Sequence, residues 1–152
     1  MYKRILLPTD GSALSKEAVQ SGIAFAKACG GEVLGLHVVA LPPGQQLEAW
    51  MTHAPHLVER RQAMFDKFAD EDLADITAAA TSQHVPCTVI KVRSADVASS
   101  IVLAAEDMAC DLIFMASHGH KGDKAAMLGS ETIKVLQGSK VPVLVHKPLR
   151  RA

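Results

Sequence analysis

Short apolar runs rich in β-branched residues alternate with longer stretches of helical periodicity along the whole chain, and few architectures tolerate that alternation. Residues 3–7 (KRILL), 32–39 (EVLGLHVV), 87–92 (CTVIKV), 111–116 (DLIFMA) and 141–146 (VPVLVH) each read as a strand. Each is apolar nearly throughout, as strands covered on both faces are, which points to a parallel sheet between helical layers. Between the first two strands Leu14, Ala18, Val19, Ile23 and Ala26 recur at helical spacing, with Ser12 as N-cap and Gly30-Gly31 as the stop. A second helix is expected from about His56 to Gln83, ended by Pro86, with Leu57, Met64, Phe65, Phe68, Leu73 and Ile76 toward the sheet. Its other face, with Glu59, Arg60, Arg61, Asp66, Lys67, Asp70, Glu71 and Asp72, reads as solvated. Ser94 opens a third helix containing Val97, Ile101, Val102 and Ala105, and residues about 129–138 form the last.

Right-handed crossovers turn this β-α-β-α-β-α-β-α-β order into one open, doubly wound α/β domain: a five-stranded parallel sheet with helices on both faces. In such sheets ligands sit beyond the carboxyl ends of the strands, where strand order reverses. The loops that follow strands are therefore the ones to interrogate. The long connection 40–55, which carries Trp50 and Met51, is expected to serve as a lid or partner surface.

A chain of 152 residues suffices for one domain, expected over 1–148 with a short basic tail at 149–152. Sixteen Lys+Arg balance sixteen Asp+Glu, so the broad positive footprint of nucleic-acid binding is missing and no nucleic-acid partner is expected. Cys29, Cys87 and Cys110 form no Cys-x-x-Cys and read as reduced thiols. Lys3-Arg4 precede only Ile5-Leu6-Leu7, far short of a secretory core, and no apolar run reaches membrane-spanning length. A cytoplasmic location with no membrane partner is the expectation.

After the first strand comes Pro8-Thr9-Asp10-Gly11-Ser12, a tight turn at the start of a helix. After the fourth come Ser117-His118-Gly119 and, beyond residues 120–128, Gly129-Ser130 before the last helix. Glycines allow close backbone approach, and unpaired N–H groups at a helix start attract phosphate oxygens. Asp10 could hold ribose hydroxyls or join a metal's oxygen shell. Neither G-x-x-x-x-G-K-[ST] nor G-x-G-x-x-G occurs, which disfavours P-loop NTPases and dinucleotide enzymes.

Taken jointly, ILLPTDGS near the start, LHVV closing the second strand, DLIFMASHG at the fourth, then LGSETIKVL and VPVLV, resemble the universal stress protein family and its nucleotide-binding branch. The resemblance implies strand order 3-2-1-4-5, an adenine nucleotide α-hydrolase-like fold, and a homodimer paired through the last strand, Val141–Val145. It also implies the pattern G-x-x-G, nine residues, G-[ST]. Here Gly119, residues 120–128 and Gly129-Ser130 match, whereas Ala116 stands at the first glycine. The cost of that alanine depends on whether its φ is positive.

Carried over position by position, the resemblance implies that Pro8, Thr9 and Asp10 line the adenosine end, with Asp10 toward ribose, and that Val38 meets adenine through its backbone. Met115 and Ala116 would flank the nucleoside. Ser117, His118, Gly119, Gly129, Ser130, Glu131 and Thr132 would surround the phosphates, with anionic Glu131 close by without touching them. Lys121 and Lys124 in the spacer read either as compensating phosphate charge if the loop closes or as solvated lysines. The function so implied is binding of ATP, or ADP or AMP, as a regulatory ligand in stress response, with Mg2+ or Mn2+ accompanying the phosphates. Slow ATP hydrolysis is the most turnover expected, and no catalytic residue is assigned.

Two other classes stay open: a nucleotide-free homodimeric scaffold of the same fold, and an adenylating enzyme, whose S-G-G-x-D-S loop PTDGS does not match. His118-x-His120 and His53-x-x-His56 lack partners at recognised spacing, so no protein metal site is assigned. His37 reads as a structural histidine. Ser12, Asp10 and His118 lack the G-x-S-x-G elbow that a hydrolase triad needs.

Overall fold

The computed structural model describes residues 1–120 and 127–148. Its elements run β1 (Arg4–Thr9), α1 (Ala13–Cys29), β2 (Glu32–Ala40), α2 (Gly44–His53), α3 (Pro55–Ser82), β3 (Cys87–Ser94), α4 (Val97–Asp107), β4 (Leu112–Ala116), α5 (Ser130–Gly138) and β5 (Val143–His146). The strands form one parallel sheet in the order β3-β2-β1-β4-β5, so the chain reverses direction across the sheet between β1 and β4. Ile5 and Leu7 point to the layer of α1 and α3, where they pack with Val19, Ile23, Leu73 and Ile76. Leu6 and Ile113 point to the layer of α4 and α5, with Ile101, Ala105 and Val135. Burial on both faces is why the strand sequences show no polar alternation.

Local signals hold the elements in place. Ser12 caps α1 by accepting from the Ser15 N–H at 3.3 Å, and Gly30 ends it in the left-handed region at φ 62°. The helix expected to open at Ser94 begins instead at Val97, because Asp96 is the better cap. Its carboxylate accepts from Ser99 N at 3.0 Å and from Ser99 Oγ at 2.7 Å.

The 40–55 connection is not a plain loop: it contains α2, which Pro55 separates from α3 by opening a new helix at its first position. No residue of α2 is buried, so its sequence carried little amphipathic signal. The last strand starts later than expected. Val141 N donates to Ser139 Oγ at 3.0 Å rather than to a ladder, and Pro142 has no N–H to give.

The face of α3 is also corrected. Its buried positions are Val58, Ala69, Leu73, Ile76 and Ala80, with Phe65 half-buried in the same phase. Leu57, Met64 and Phe68 sit one position away, about 100° round the helix, and are 65%, 48% and 48% exposed. Among the described residues no helix is long and apolar enough to cross a membrane.

Ile23 is fully buried between α1 and the sheet. Ile23→Ala should lower unfolding free energy by about 3 kcal/mol in urea titrations; a loss below about 1 kcal/mol would show that this contact can collapse without cost.

Candidate functional site

The two central strands are bridged only at Ile5↔Leu112 and Leu6↔Ile113, although β1 runs on to Thr9 and β4 to Ala116. Pro8, which cannot donate to a ladder, lies past the last of these bridges. On the other side β1 stays paired to β2 as far as Thr9↔His37, beyond which Val38–Ala40 overhang with β3 alone as partner. A crevice thus opens at the carboxyl edge, at the point where strand order reverses.

One wall is the turn after β1. Gly11 takes φ +79°, and a Cβ there would lie 2.5 Å from Asp72 Oδ2 of α3, so the turn admits little but glycine. Thr9 Oγ1 accepts from Gly11 N at 3.1 Å and from Ser15 Oγ at 2.9 Å. Asp10 remains exposed, with Oδ1 accepting from Ser12 N at 2.9 Å.

The other wall is built from segments far apart in sequence. Gly129 N donates to Ser117 O at 2.7 Å, and Thr132 Oγ1 donates to Ala116 O at 3.1 Å, docking the start of α5 on the end of β4. A Cβ on Gly129 would stand 3.1 Å from His118 Cα. The two walls meet at Asp10: its Oδ2 accepts from His120 N at 3.0 Å, and its carbonyl lies 2.8 Å from His120 Nε2. Gly119 leaves room for that contact, because a Cβ there would fall 2.1 Å from Asp10 Oδ2 and the exposed Asp10 side chain would have to shift.

The structure therefore brings Thr9, Asp10, Ser117, His118, Gly119, Gly129 and Ser130 together. Ala116 has a non-positive φ, the only non-glycine residues with positive φ among those described being His84 and Ala109, so alanine costs the backbone nothing there. Several side chains turn away from the crevice. Met115 packs into the α4 and α5 layer and Thr132 bonds to the Ala116 carbonyl, while Pro8 and Ser117 are buried. The Glu131 carboxylate accepts from Ala98 N at 3.0 Å and lies 3.5 Å from Lys134 Nζ, capping α4. Val38 is half-buried on the overhang, its side chain packed on the α4 side. Lys121 and Lys124 lie outside the described residues. Gly129 supplies no side-chain cap to α5, and the N–H groups of Ser130, Glu131 and Thr132 have no acceptor among the described residues.

Two participants escape the sequence reading. His120 was weighed only as a metal ligand. Asp72 was counted on a solvated face, yet its side chain is 14% exposed and its Oδ2 lies 3.2 Å from His37 Nε2. The available signal was phase: Asp72 sits three residues after Ala69 and four before Ile76 on the buried side of α3. Burial holds the His37 imidazole below its ordinary value, against the pull of Asp72 and Asp10 and with the push of His120. The neutral ring donates from Nε2 to Asp72, and its buried Nδ1 has no partner among the described residues. Burial likewise pushes the Asp72 carboxyl up.

Comparison with known proteins matches residues 1–147 to the universal stress protein family. Universal stress protein MJ0531 of Methanocaldococcus jannaschii is 33% identical over 150 residues, spanning 97% of this chain and 83% of that one. The solved structure of MJ0577 from the same organism aligns with a TM-score of 0.81 at 29% identity over 99% of each chain. A universal stress protein of Archaeoglobus fulgidus, solved in complex with dAMP, shares the fold with a TM-score of 0.64 at 17% identity, over 95% of this chain and 97% of that one.

The buried His37 yields a pH prediction. The folded protein binds fewer protons at this site than the unfolded chain, so stability should fall as pH drops below about 6.5. Asp72, raised by burial, acts in the opposite sense but starts from the acid end, near about 3.9. Urea titrations between about pH 7.5 and 6 should show the fall, and His37→Gln should flatten it; an unchanged slope in the variant would remove His37 from the explanation.

Proposed function

The chain belongs to the universal stress protein family, and on that premise we propose that it binds ATP, or another adenine nucleotide, as a regulatory ligand in the crevice between β1 and β4. One observation carries the reading: the Asp10 turn, the Ser117–Gly119 backbone and the N–H groups opening α5, which have no acceptor among the described residues, converge on a single crevice. A helix start with free donors and glycine-lined approaches suits phosphate oxygens. The Archaeoglobus fulgidus relative, solved with dAMP, supports an adenylate as the ligand class.

In this reading Val38 offers its overhanging backbone to adenine, and Pro8, Thr9, Met115 and Ala116 form the floor beneath the nucleoside. Asp10 exchanges the His120 N–H for ribose hydroxyls. Ser117, His118, Gly119, Gly129, Ser130 and Thr132 hold phosphate chiefly through backbone N–H groups, while Glu131 stays on α4. With Asp10 turned to the ribose in this reading, an accompanying Mg2+ or Mn2+ would be held mainly by phosphates and water. The nucleotide is read as a ligand, not as a rapidly turned-over substrate.

The proposal includes a homodimer. Val143, Leu144 and Val145 of β5 are half-buried and apolar, and β5 pairs with β4 on one side only. A second copy paired along the outer edge would satisfy the open ladder symmetrically. A cytoplasmic location belongs to the same reading, in keeping with three free cysteines. One observation favours the nucleotide-free scaffold instead: Asp10 is already satisfied by the protein itself.

Equilibrium titration with labelled ATP and magnesium separates the readings. The native chain should saturate, and Gly129→Leu should weaken ATP at least about tenfold, with a lower melting temperature because the added side chain meets the His118 backbone, while dimerisation through β5 stays near native. Absence of binding at about 1 mM ATP would leave the scaffold standing. For the dimer, sedimentation of Leu144→Asp should show monomer where the native chain shows dimer; a native chain that sediments as monomer refutes the pairing.

A further inference from the structure

A second cavity lies on the α3 side of the sheet, at the far end of β2. It encloses about 340 Å3 between the β2 terminus, α2 and the first half of α3, a volume at the small end of the range for small-molecule pockets. Its lining includes none of the residues assigned to the nucleotide, although Val39 and Ala40 belong to the same β2 overhang as Val38.

The walls are apolar: Val39, Leu41, Leu47, Trp50, Val58 and Phe65. The polar groups are Gln46, Gln62, Arg61 and Arg93, and the lining contains no carboxylate. Arg93 pairs with Asp66, which lies outside the cavity. Arg61 has no carboxylate or hydrogen-bond acceptor among the described residues. It is held by aromatic rings, with Cζ 5.3 Å from the Trp50 ring centroid and 5.2 Å from that of Phe65. Stacking of this kind positions a guanidinium while leaving its N–H edge able to grip a planar oxyanion in two parallel bonds. The covering helix has the character of a loosely seated wall: α2 buries no residue and has no side-chain cap.

We propose that this cavity is a binding site for a small amphipathic carboxylate, its apolar body among Leu47, Trp50, Val58 and Phe65 and its carboxylate on Arg61. The charge complement selects the anion, and the apolar walls exclude strongly hydrated inorganic ions. The site is independent of the nucleotide crevice and stands whether or not ATP binds.

Trp50 is the only tryptophan in the chain, so its fluorescence reports on this cavity. Titration of the full chain with 3-phenylpropionate should give a saturable change at or below about 1 mM. The neutral 3-phenylpropionamide and the variant Arg61→Gln should each bind about tenfold more weakly. Saturating ATP should leave the carboxylate titration unmoved. The proposal is overturned if the change does not saturate, if the amide binds as well as the acid, or if ATP displaces the acid, which would make this part of the nucleotide site. Arg61 is exposed, and the amide comparison on the native chain holds even if Arg61→Gln folds poorly.

Discussion

Early parting of the two central strands is the constraint on which the functional end of the molecule depends. Had the β1–β4 ladder continued past Leu6↔Ile113, the sheet would close over its own carboxyl edge and no crevice would exist. Because it stops, Thr9-Asp10 and Ala116-Ser117 leave the sheet separately, and polar contacts must hold them in relation. The Asp10 carboxylate, gripped by Ser12 N on its own turn and by His120 N across the gap, supplies that relation. Thr132 and Gly129 anchor the far wall by giving a side-chain O–H and a backbone N–H to the carbonyls of Ala116 and Ser117.

Much of this was legible in the residues. Apolar runs without alternation, Ser12 before a helical stripe and Gly30-Gly31 after it lead to the sheet class that the structure has, and the loops after β1 and β4 lie at its crevice. Other features had weak or conflicting signals. In α3 the stretch from Leu57 to Phe68 carries apolar residues on two adjacent phases, and the packing of Ala69, Leu73, Ile76 and Ala80 against the sheet decides which one faces inward. Small side chains win there because they let the helix approach closely, a preference that hydrophobicity alone does not register. The α2 helix escaped because it buries nothing, and its apolar residues line a cavity rather than a core.

Partners across the crevice were the least legible part. Helical phase marks Asp72 as inward-facing, but nothing along the chain names its neighbours, since the contact joins α3 to the Gly11 turn and to His37 of β2. His120 reaches Asp10 over 110 positions of chain. Such pairs exist only once the sheet has brought its edges together, so a reading along the chain sees each member as an ordinary polar side chain. By contrast Glu131, which the family resemblance sets near the phosphates, spends its charge on the start of α4, tying the two helices of one layer.

The alanine at 116 has a wider meaning. Its backbone is one that every L-residue adopts, and it closes a strand rather than turning a corner. The bare positions are elsewhere, at 119 and 129, where one added carbon would strike a carboxylate or the main chain. A signature that insists on hydrogen as the side chain at all three places would discard proteins whose geometry is intact, so screens of genomes for this kind of site should relax the first position and keep the other two.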